Sequence, residues 1–544
     1  MTVVAVLGGG ISGLSSAYYL SRLAPASTRI VLVEGSQRLG GWIRSARVSP
    51  GNEETNDPNG ILFEGGPRSL RPVGTSGAVT LEMVKYRHLG LDETMLSVPK
   101  TDPSAKNRYI YYNDTINTLP SSLSSILTKR PPVLKSVPWS ILKEPFVPAK
   151  SSDEDESLYS IVSRRFNDHV ALNLVGAMVH GIYAGDVKDL SAHSTLKILY
   201  ENERMYGSIV KGMLRGGAKN ERFRERGLAA RARKDDPEWF ASMEGMSVIG
   251  FKDGTEELTH RLRQWLANQE NVDIVLGEPV ESISTGTDAK EIKVKTSART
   301  IDANHVISAL PSGALDSVLP RNTLPHLTYN PAVDVAVVNL AYGPDVILGY
   351  DGFGFLTPSS HSSCKIPVPG TLGVVFDSNA MRGQDKTPFT KATVMLGGHQ
   401  WHNAFKTPLD QTDPQEAYQR AVQAMDAFLG VKASPVASMV HLQSKCIPQY
   451  LVGHQSRLRD LHEALKLKYG HLMSVTGASY WSVSVPDCVK NSRELVEELL
   501  VSGALGGQQK MVTGLNRLEE SDDKQRLQDS SRLGKSHVDI LMKS

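Results

Sequence analysis

The sequence predicts an α/β fold in which a parallel-sheet domain is interleaved with a second, β-rich domain and a helical region. Three observations predict it. The apolar run Val3–Leu7 leads through glycines into a helical pattern over Ile11–Leu23. Short β-patterned runs then dominate residues 333–397. Finally, the chain returns to an apolar strand pattern over Leu472–Gly477, which a helical pattern follows.

Composition excludes several classes of function. The chain has 544 residues, more than one hydrophobic core normally organises, so we expect several domains. Lys plus Arg number 60 against 58 Asp plus Glu, a net charge of +2, which gives no basic excess for a nucleic-acid partner. The three cysteines lie far apart without a CxxC pair, so we expect neither a disulfide framework nor a metal site. The sequence contains no run of about 18 apolar residues, so we predict no transmembrane helix.

The first glycines form a dinucleotide-binding motif. Gly8, Gly10 and Gly13 have the spacing GxGxxG between strand and helix, and Glu34 ends the next strand, Ile30–Val33. The first glycine makes the tight turn, the second admits a pyrophosphate, and the third packs helix against strand. The helix N-terminus stabilises the phosphate charge, and the acidic residue accepts hydrogen bonds from a ribose. The remaining residues of the predicted phosphate turn are Gly9, Ile11 and Ser12.

Two more glycine-rich turns indicate which dinucleotide binds. After Glu34 the chain runs RLGGWIR, where an NAD enzyme normally begins another crossover helix. Its paired glycines let the backbone pass close to a pyrophosphate, and Arg38 supplies a nearby cation. FEGGPR is a second rigid turn, of the kind that lies against an isoalloxazine ring. We therefore predict non-covalent FAD. The predicted contacts in these turns are Arg38, Gly40, Gly41, Trp42, Gly66, Pro67, Arg68 and Ser69.

The C-terminal part returns to this site. VTGAS is a strand that breaks at small residues, and Val483 to Val485 lead into a helix. Flavin folds of this type close the cofactor site with such a segment. The predicted cofactor residues of the later chain are Val280, Gly477, Val483, Ser484 and Val485.

Two segments are polar. Residues 215–236 are rich in arginine, which favours a solvated insertion over a contact with anionic lipid or a partner. The tail after Gly503 lacks periodicity, so we expect it to fray.

Several longer runs are more specific than the glycine motifs. They include KNRYIYYN, GFGFLTPSS and CIPQY, and together with LGGGISGL and FEGGPRSLRP they extend from residue 3 to about residue 493. On these runs the chain resembles the protoporphyrinogen oxidase family, the mitochondrial type of eukaryotic haem synthesis. The glycine motifs alone indicate only a superfamily that includes amine oxidases and phytoene desaturases.

The resemblance implies a Rossmann-type FAD-binding domain interleaved with a β-sheet substrate-binding domain and a helical membrane-associated domain. We expect the FAD-binding domain in residues 1–90, 241–312 and 446–502. The helical domain would occupy 91–240 and the substrate-binding domain 313–445, with a flexible polar tail over 503–544.

The resemblance also implies a reaction: six-electron oxidation of protoporphyrinogen IX to protoporphyrin IX, with O2 as acceptor giving H2O2. Arg108 would face a substrate propionate, Phe353, Gly354 and Leu356 would sandwich a pyrrole ring, and Met395 would line the cavity. Taken singly, Phe353 and Leu356 are more typical of a core and Arg108 of a surface cation. No residue is assigned as catalytic acid or base, because the cofactor carries the chemistry.

Partners follow from the same resemblance. It implies peripheral contact with the inner mitochondrial membrane on its intermembrane-space side through helices in 158–214, a homodimer, and transfer of product to ferrochelatase. The chain departs from the family pattern at two positions. Ser482 stands where glycine is usual, and Asp253 precedes Gly254 where a pair of glycines is expected. Two alternatives stay open: an amine oxidase or carotenoid desaturase, and a flavin-stabilised scaffold without catalysis.

Overall fold

The computed structural model describes residues 2–120, 131–152, 154–217, 223–286, 291–506 and 511–519. Its strands are β1 Val3–Leu7, β2 Arg29–Glu34, β3 Ser45–Val48, β4 Glu54–Thr55, β5 Ile61–Glu64, β6 Met95–Pro99, β7 Arg108–Tyr112, β8 Thr115–Leu119, β9 Met246–Phe251, β10 Val272–Leu276, β11 Val280–Thr285, β12 Ile292–Thr296, β13 Thr300–Ala303, β14 His305–Ser308, β15 Ala332–Tyr342, β16 Gly354–Leu356, β17 Thr371–Val375, β18 Thr390–Gly397, β19 Ala437–Pro448 and β20 Met473–Val475.

The α-helices of the described residues are α1 Ile11–Leu23, α2 Gly74–Lys85, α3 Pro103–Lys106, α4 Val137–Lys143, α5 Leu158–Arg165, α6 Gly176–Tyr183, α7 Ala192–Thr195, α8 Lys197–Tyr206, α9 Ile209–Leu214, α10 Phe223–Ala232, α11 Pro237–Met243, α12 Glu256–Ala267, α13 Ser312–Val318, α14 Asp377–Ala380, α15 Trp401–Ala404, α16 Pro414–Leu429, α17 His454–Tyr469 and α18 Val485–Val501. A π-helical turn, Val170–Val175, joins α5 to α6.

A five-stranded parallel sheet has the order β10-β2-β1-β14-β20. Its strands come from three distant parts of the chain. β1 is apolar throughout because both faces of the sheet are covered. Helices α1, α2, α12 and α18 pack on one face, while the β11–β13 sheet, α13 and α17 cover the other. The predicted interleaved α/β fold is confirmed.

A seven-stranded sheet forms the second layer, in the order β19-β15-β18-β17-β16-β7-β8. Its pairs are antiparallel except β16 with β7. Strands β7 and β8 lie within the segment 91–240 that was expected to be helical. They join this sheet because Tyr109 and Tyr111 are buried in its hydrophobic core.

The helical region runs from α4 to α11; helices α5 to α9 share a core of their own, whereas α10 and α11 pack into the core of the parallel sheet domain. The helical region also contains a buried ion-pair network: Arg165, fully buried, donates from Nε to Glu144 Oε1 (2.6 Å), and Arg164 pairs with Glu203 (2.7 Å). Among the described residues, no helix is both long and apolar enough to cross a bilayer.

The basic segment 215–236 is not simply a solvated insertion. Helix α10 buries Leu228, Ala229 and Ala232 in the core that α2 and α18 share. On its more polar side, Arg231 pairs with Glu497 of α18 (2.5 Å). Arginines spaced along one face of a helix can flank an apolar stripe, and a reading of net charge alone misses that stripe. Residues 218–222, including the predicted basic Arg222, lie outside the described residues.

The expectation of a frayed tail after Gly503 is wrong for residues 511–519. Val512 and Leu515 are buried against the parallel sheet. The N–H of Val475 in β20 donates to the carbonyl of Thr513 (2.9 Å), so this segment covers the edge of β20. Two buried apolar side chains and hydrogen bonds to β20 hold a stretch that has no helical or strand periodicity. Residues 520–544 lie outside the described residues.

Candidate active site

The first glycine turn has the close contacts that a phosphate site requires. Gly8 has φ +94°, and its N–H donates to the carbonyl of Val33 (2.8 Å). A Cβ on Gly13 would lie 1.8 Å from the Gly8 carbonyl oxygen, so this glycine lets α1 pack against the turn. A Cβ on Gly10 would meet nothing nearer than Gly41 Cα, at 3.9 Å. Gly10 therefore faces open space at the N-terminus of α1, where a pyrophosphate is expected.

Glu34 and Arg38 hold the turns in place. The Glu34 carboxylate accepts a hydrogen bond from the N–H of Gly9 (2.7 Å), which fixes the acid at the end of β2 beside the turn. Arg38 was predicted as a cation near the pyrophosphate. Its guanidinium donates to the carbonyl of Gly41 (2.5 Å) and to Glu256 (3.0 Å). Arg38 thus stabilises the RLGGWIR loop by hydrogen bonding within the loop and to α12.

The second glycine turn, FEGGPR, packs closely against the RLGGWIR loop. A Cβ on Gly66 would lie 2.1 Å from the carbonyl oxygen of Trp42, so only glycine fits here. Two residues on, Arg68 pairs with Asp377 of α14 (2.7 Å). The turn is therefore tied to the seven-stranded sheet domain as well as to the loop that precedes it.

The C-terminal segment lies beside the first glycine turn. Gly477 has φ +108°, and a Cβ there would lie 3.6 Å from Ser12 Oγ at the start of α1. Ser484 caps α18 by accepting from the N–H of Asp487 (3.2 Å). Ser482, the departure from the family pattern, donates its hydroxyl to Asp487 Oδ2 (2.6 Å). Its side chain is thus turned onto the cap of α18.

Two other positions belong to the same domain. Val280 begins β11, where it pairs with Thr296 and is half-buried. Asp253, the second departure, forms an ion pair with Arg47 (2.9 Å), and the following Gly254 takes the turn at φ +87°. Neither departure places an unpartnered charge in the cofactor region.

These features fit FAD. The open face of Gly10 and Gly41, the helix N-terminus and the acid at the end of β2 match a dinucleotide, and the Gly66 turn provides flat backbone for a ring. The predicted residues that lie in these turns are Gly8, Gly9, Gly10, Ile11, Ser12, Gly13, Glu34, Arg38, Gly40, Gly41, Trp42, Gly66, Pro67, Arg68 and Ser69.

The predicted substrate residues Arg108 and Phe353 are brought into contact. Arg108 begins β7, and its guanidinium carbon lies 5.8 Å from the centre of the Phe353 ring. The parallel pairing of β16 with β7 produces this contact. Phe353 and Leu356 are half-buried, whereas Phe355 between them is 1% exposed and is the core residue. Arg108 itself is exposed.

Gly354 and Met395 have mainly structural surroundings. Gly354 has φ +142°, and a Cβ there would lie 2.2 Å from the carbonyl oxygen of Val374. The sheet itself therefore requires this glycine, whatever binds beside it. Met395 lies opposite Val337 in β15 and is half-buried against a small apolar cluster that includes Leu372.

A cleft between the second glycine turn and the seven-stranded sheet contains groups that the sequence did not predict. Beside Phe353, Arg68 and Ser69, it is lined by Glu64, Asn339 and Asp377. Glu64 had a local signal, since an acid ends an apolar strand immediately before the glycines. Asn339 in β15 and Asp377 at the start of α14 are distant in the chain and had none.

Glu64 has an unusual environment for an acid. Burial raises its pKa to about 7, although Ser45 Oγ (2.6 Å) and the N–H of Thr255 (2.7 Å) donate to its carboxylate and oppose that shift. Its backbone carbonyl accepts from Asn339 Nδ2 (3.1 Å), so this bond joins β5, in the three-stranded sheet β4-β3-β5, to β15 of the seven-stranded sheet.

Comparisons with known proteins identify the family. Residues 11–500 match the family described as flavin containing amine oxidoreductase. The chain is 37% identical over 505 residues to protoporphyrinogen oxidase of Homo sapiens and 36% identical over 503 residues to that of Schizosaccharomyces pombe. Each alignment covers 91% of this chain and 98% of the relative. The chain belongs to the protoporphyrinogen oxidase family.

The family identifies the cofactor and the class of enzyme. The predictions of FAD and of a flavin-dependent oxidoreductase are confirmed. The fold agrees as well, because a crystal structure from Exiguobacterium sp. 255-15 superposes with a TM-score of 0.70 at 20% identity, over 92% of this chain and 98% of that one.

Alanine at Gly10 and at Gly13 will separate cofactor binding from folding. Gly10→Ala has room in the protein and an ordinary φ of −70°, so the apoprotein should keep its melting temperature while its affinity for FAD falls at least about tenfold. Gly13→Ala should lower the melting temperature too, because its Cβ meets backbone. FAD titration by flavin fluorescence and thermal melts of the apoprotein check this. Gly313→Ala, which meets no atom within 4 Å, is the control. Unchanged FAD affinity in Gly10→Ala would contradict the site.

Glu64 should make the stability of the protein depend on pH. Its pKa is about 7 when folded against an ordinary 4.5, so between these values the folded state binds more protons than the unfolded state. The free energy of unfolding therefore falls as pH rises through this window, by on the order of 3 kcal/mol. Glu64→Gln should lose that part of the pH dependence in melts of the apoprotein between about pH 4.5 and pH 8. The exposed Glu54→Gln is the control, and equal slopes for Glu64→Gln and wild type would refute the assignment.

Proposed function

We propose that this chain is an oxygen-dependent protoporphyrinogen oxidase, which oxidises protoporphyrinogen IX to protoporphyrin IX by six electrons in the penultimate step of haem synthesis. The observation that carries the proposal is the position of Arg108 above the ring of Phe353, next to the glycine turn of the flavin site. A porphyrinogen is a large apolar macrocycle with two carboxylates at one edge. An aromatic wall beside an exposed guanidinium matches both of its parts.

Each part of the chain has a defined task in this reaction. Phe353, Leu356 and Met395 offer apolar surface to the pyrrole rings, and Arg108 fixes the register of the macrocycle through a propionate. FAD supplies the hydride acceptor that O2 regenerates with release of H2O2. No side chain is assigned as acid or base, so the chain contributes orientation and exclusion of water.

We also propose that the protein binds peripherally to the inner mitochondrial membrane, on the intermembrane-space side. An apolar surface patch supports this: Trp139 (63% exposed), Leu142 (63%), Phe146 (87%), Met213 (51%) and Leu214 (80%). The two segments are joined because Glu144 accepts from the N–H of Ile209 (2.9 Å) and Lys211 Nζ donates to the carbonyl of Pro145 (2.9 Å).

Charge at this patch favours an anionic bilayer. Lys143 lies with its Nζ 5.0 Å from the Trp139 ring, and Lys211 and Arg215 flank Met213 and Leu214 along the chain. Aromatic and aliphatic groups bordered by lysine and arginine suit the interface of acyl chains with anionic headgroups. We further propose a homodimer that hands its product to ferrochelatase. Light scattering that shows only monomer, or fractionation that leaves all the protein in the cytosol, would contradict these proposals.

Arg108 should be needed for turnover. Purified protein given protoporphyrinogen IX in air should produce porphyrin fluorescence well above the autoxidation rate, and Arg108→Ala should lower kcat/KM by about 10- to 100-fold because it removes a charge-assisted contact. Arg108→Lys should recover part of the loss. Wild-type protein that holds flavin but does not exceed autoxidation would overturn the proposed activity and favour an amine substrate or a scaffold.

The apolar patch should drive binding to vesicles. Phe146→Asp with Leu214→Asp should lower partitioning onto vesicles that contain anionic lipid by about tenfold or more, because two exposed apolar side chains that would enter the bilayer are replaced by two charges that anionic headgroups repel. Leu467→Asp, at an 82% exposed position on α17, is the matched control. Sedimentation with vesicles measures this, and equal partitioning of both variants would refute the patch.

A further inference from the structure

The arginines around the cleft that Phe353 and Ser69 line differ in whether a carboxylate pairs with them. Two are neutralised by a carboxylate: Arg68 by Asp377 (2.7 Å) and Arg382 by Asp351 (3.2 Å). Arg108 has no such partner among the described residues and donates only to the carbonyl of Ser104 (3.1 Å). Arg71 is exposed and has neither a hydrogen bond nor an ion pair within the described part of the chain. Two guanidinium groups are thus left without an anion.

The backbone places Arg71 on the side of the cleft. Leu70 and Ile249 exchange two hydrogen bonds of 2.8 Å each, which holds this stretch extended. Successive side chains of an extended strand point to opposite sides, so Ser69 and Arg71 share a side while Leu70 is buried. Ser69 and Phe353 line the same cleft, and Arg108 lies over Phe353.

The two cations act on each other. Partial loss of hydration, and after it the Arg71 guanidinium, lower the pKa of the Arg108 side chain, which still keeps exposed surface. Placing two like charges together without a counter-ion costs free energy unless a ligand neutralises both. Pairs of this kind are therefore suited to an anion with two negative groups.

We propose that Arg71 and Arg108 form a two-point anchor for a dicarboxylate, each guanidinium taking one carboxylate while the apolar body of the ligand lies on Phe353. The proposal rests on the proposed function, because the two propionates at one edge of protoporphyrinogen IX have this chemistry. Two anchors fix rotation of a flat macrocycle in its plane, whereas one anchor leaves it free to pivot. Arg71 is then a second residue that selects the substrate and sets which meso carbon faces the flavin turn.

Binding of protoporphyrin IX, the stable product, tests this in the holoenzyme. Quenching of tryptophan fluorescence gives Kd for wild type, Arg71→Met, Arg71→Lys and Arg108→Met, each with the free acid and with the dimethyl ester. Arg71→Met should weaken binding of the acid about tenfold and binding of the ester less than about twofold, since the ester carries no charge for the arginine to bind. Arg71→Lys should restore part of the affinity. Arg321→Met, an exposed arginine after α13, is the control and should change neither ligand.

The outcomes distinguish failure of the proposed function from failure of Arg71 as a second anchor. Wild-type protein that binds neither porphyrin would refute the proposed function. Wild type that binds the acid tightly, with Arg71→Met unchanged or equally weakened for acid and ester, would keep the function and overturn the second anchor. A loss confined to the free acid supports the anchor. An increased KM for protoporphyrinogen IX in Arg71→Met, with kcat changed less, would add support from turnover.

Discussion

The parallel pairing of β14 with β1 and with β20 is the constraint on which the rest of the molecule depends. It joins the start, middle and end of the chain in one sheet. Parallel strands require long crossover connections, and here whole domains are built within those connections. The pairing sets Gly477 beside Ser12 and brings the C-terminal cap of the site to the first glycine turn. Without it, the residues around the cofactor would have no common frame.

The seven-stranded sheet is attached to this frame through the second glycine turn. Asn339 donates to the carbonyl of Glu64 (3.1 Å), Gln443 donates to the carbonyl of Gly65 (2.8 Å), and Arg68 pairs with Asp377. These two hydrogen bonds and the ion pair hold the FEGGPR turn against the seven-stranded sheet domain. They therefore fix the distance between this turn and Phe353. A flavin enzyme needs such fixed spacing more than it needs an acid or a base, because the cofactor carries the reaction.

Particular residues show how far the sequence could be read. The GxGxxG turn, Glu34 and the strand at β20 are local patterns, and the structure places all of them as expected. Two interpretations failed because contacts between distant segments decided the outcome. Helix α10 has arginines on its surface but buries an apolar stripe, and residues 511–519 cover an edge of β20. Strands β7 and β8 pair with each other, and β7 joins the seven-stranded sheet through its parallel pairing with β16.

The sequence by itself determined the nucleotide-binding unit and the class of cofactor, because a glycine at a tight turn or a strand end acts through its own backbone conformation and its immediate neighbours. It also contained the arginines and aromatic residues of the cleft. Only the tertiary structure decided which of them act together. Arg71, Arg108 and Phe353 come from three segments, and Glu64 acquires its raised pKa from the burial that the whole fold creates. Charge and burial depend on all surrounding elements at once, and no stretch of sequence specifies them alone.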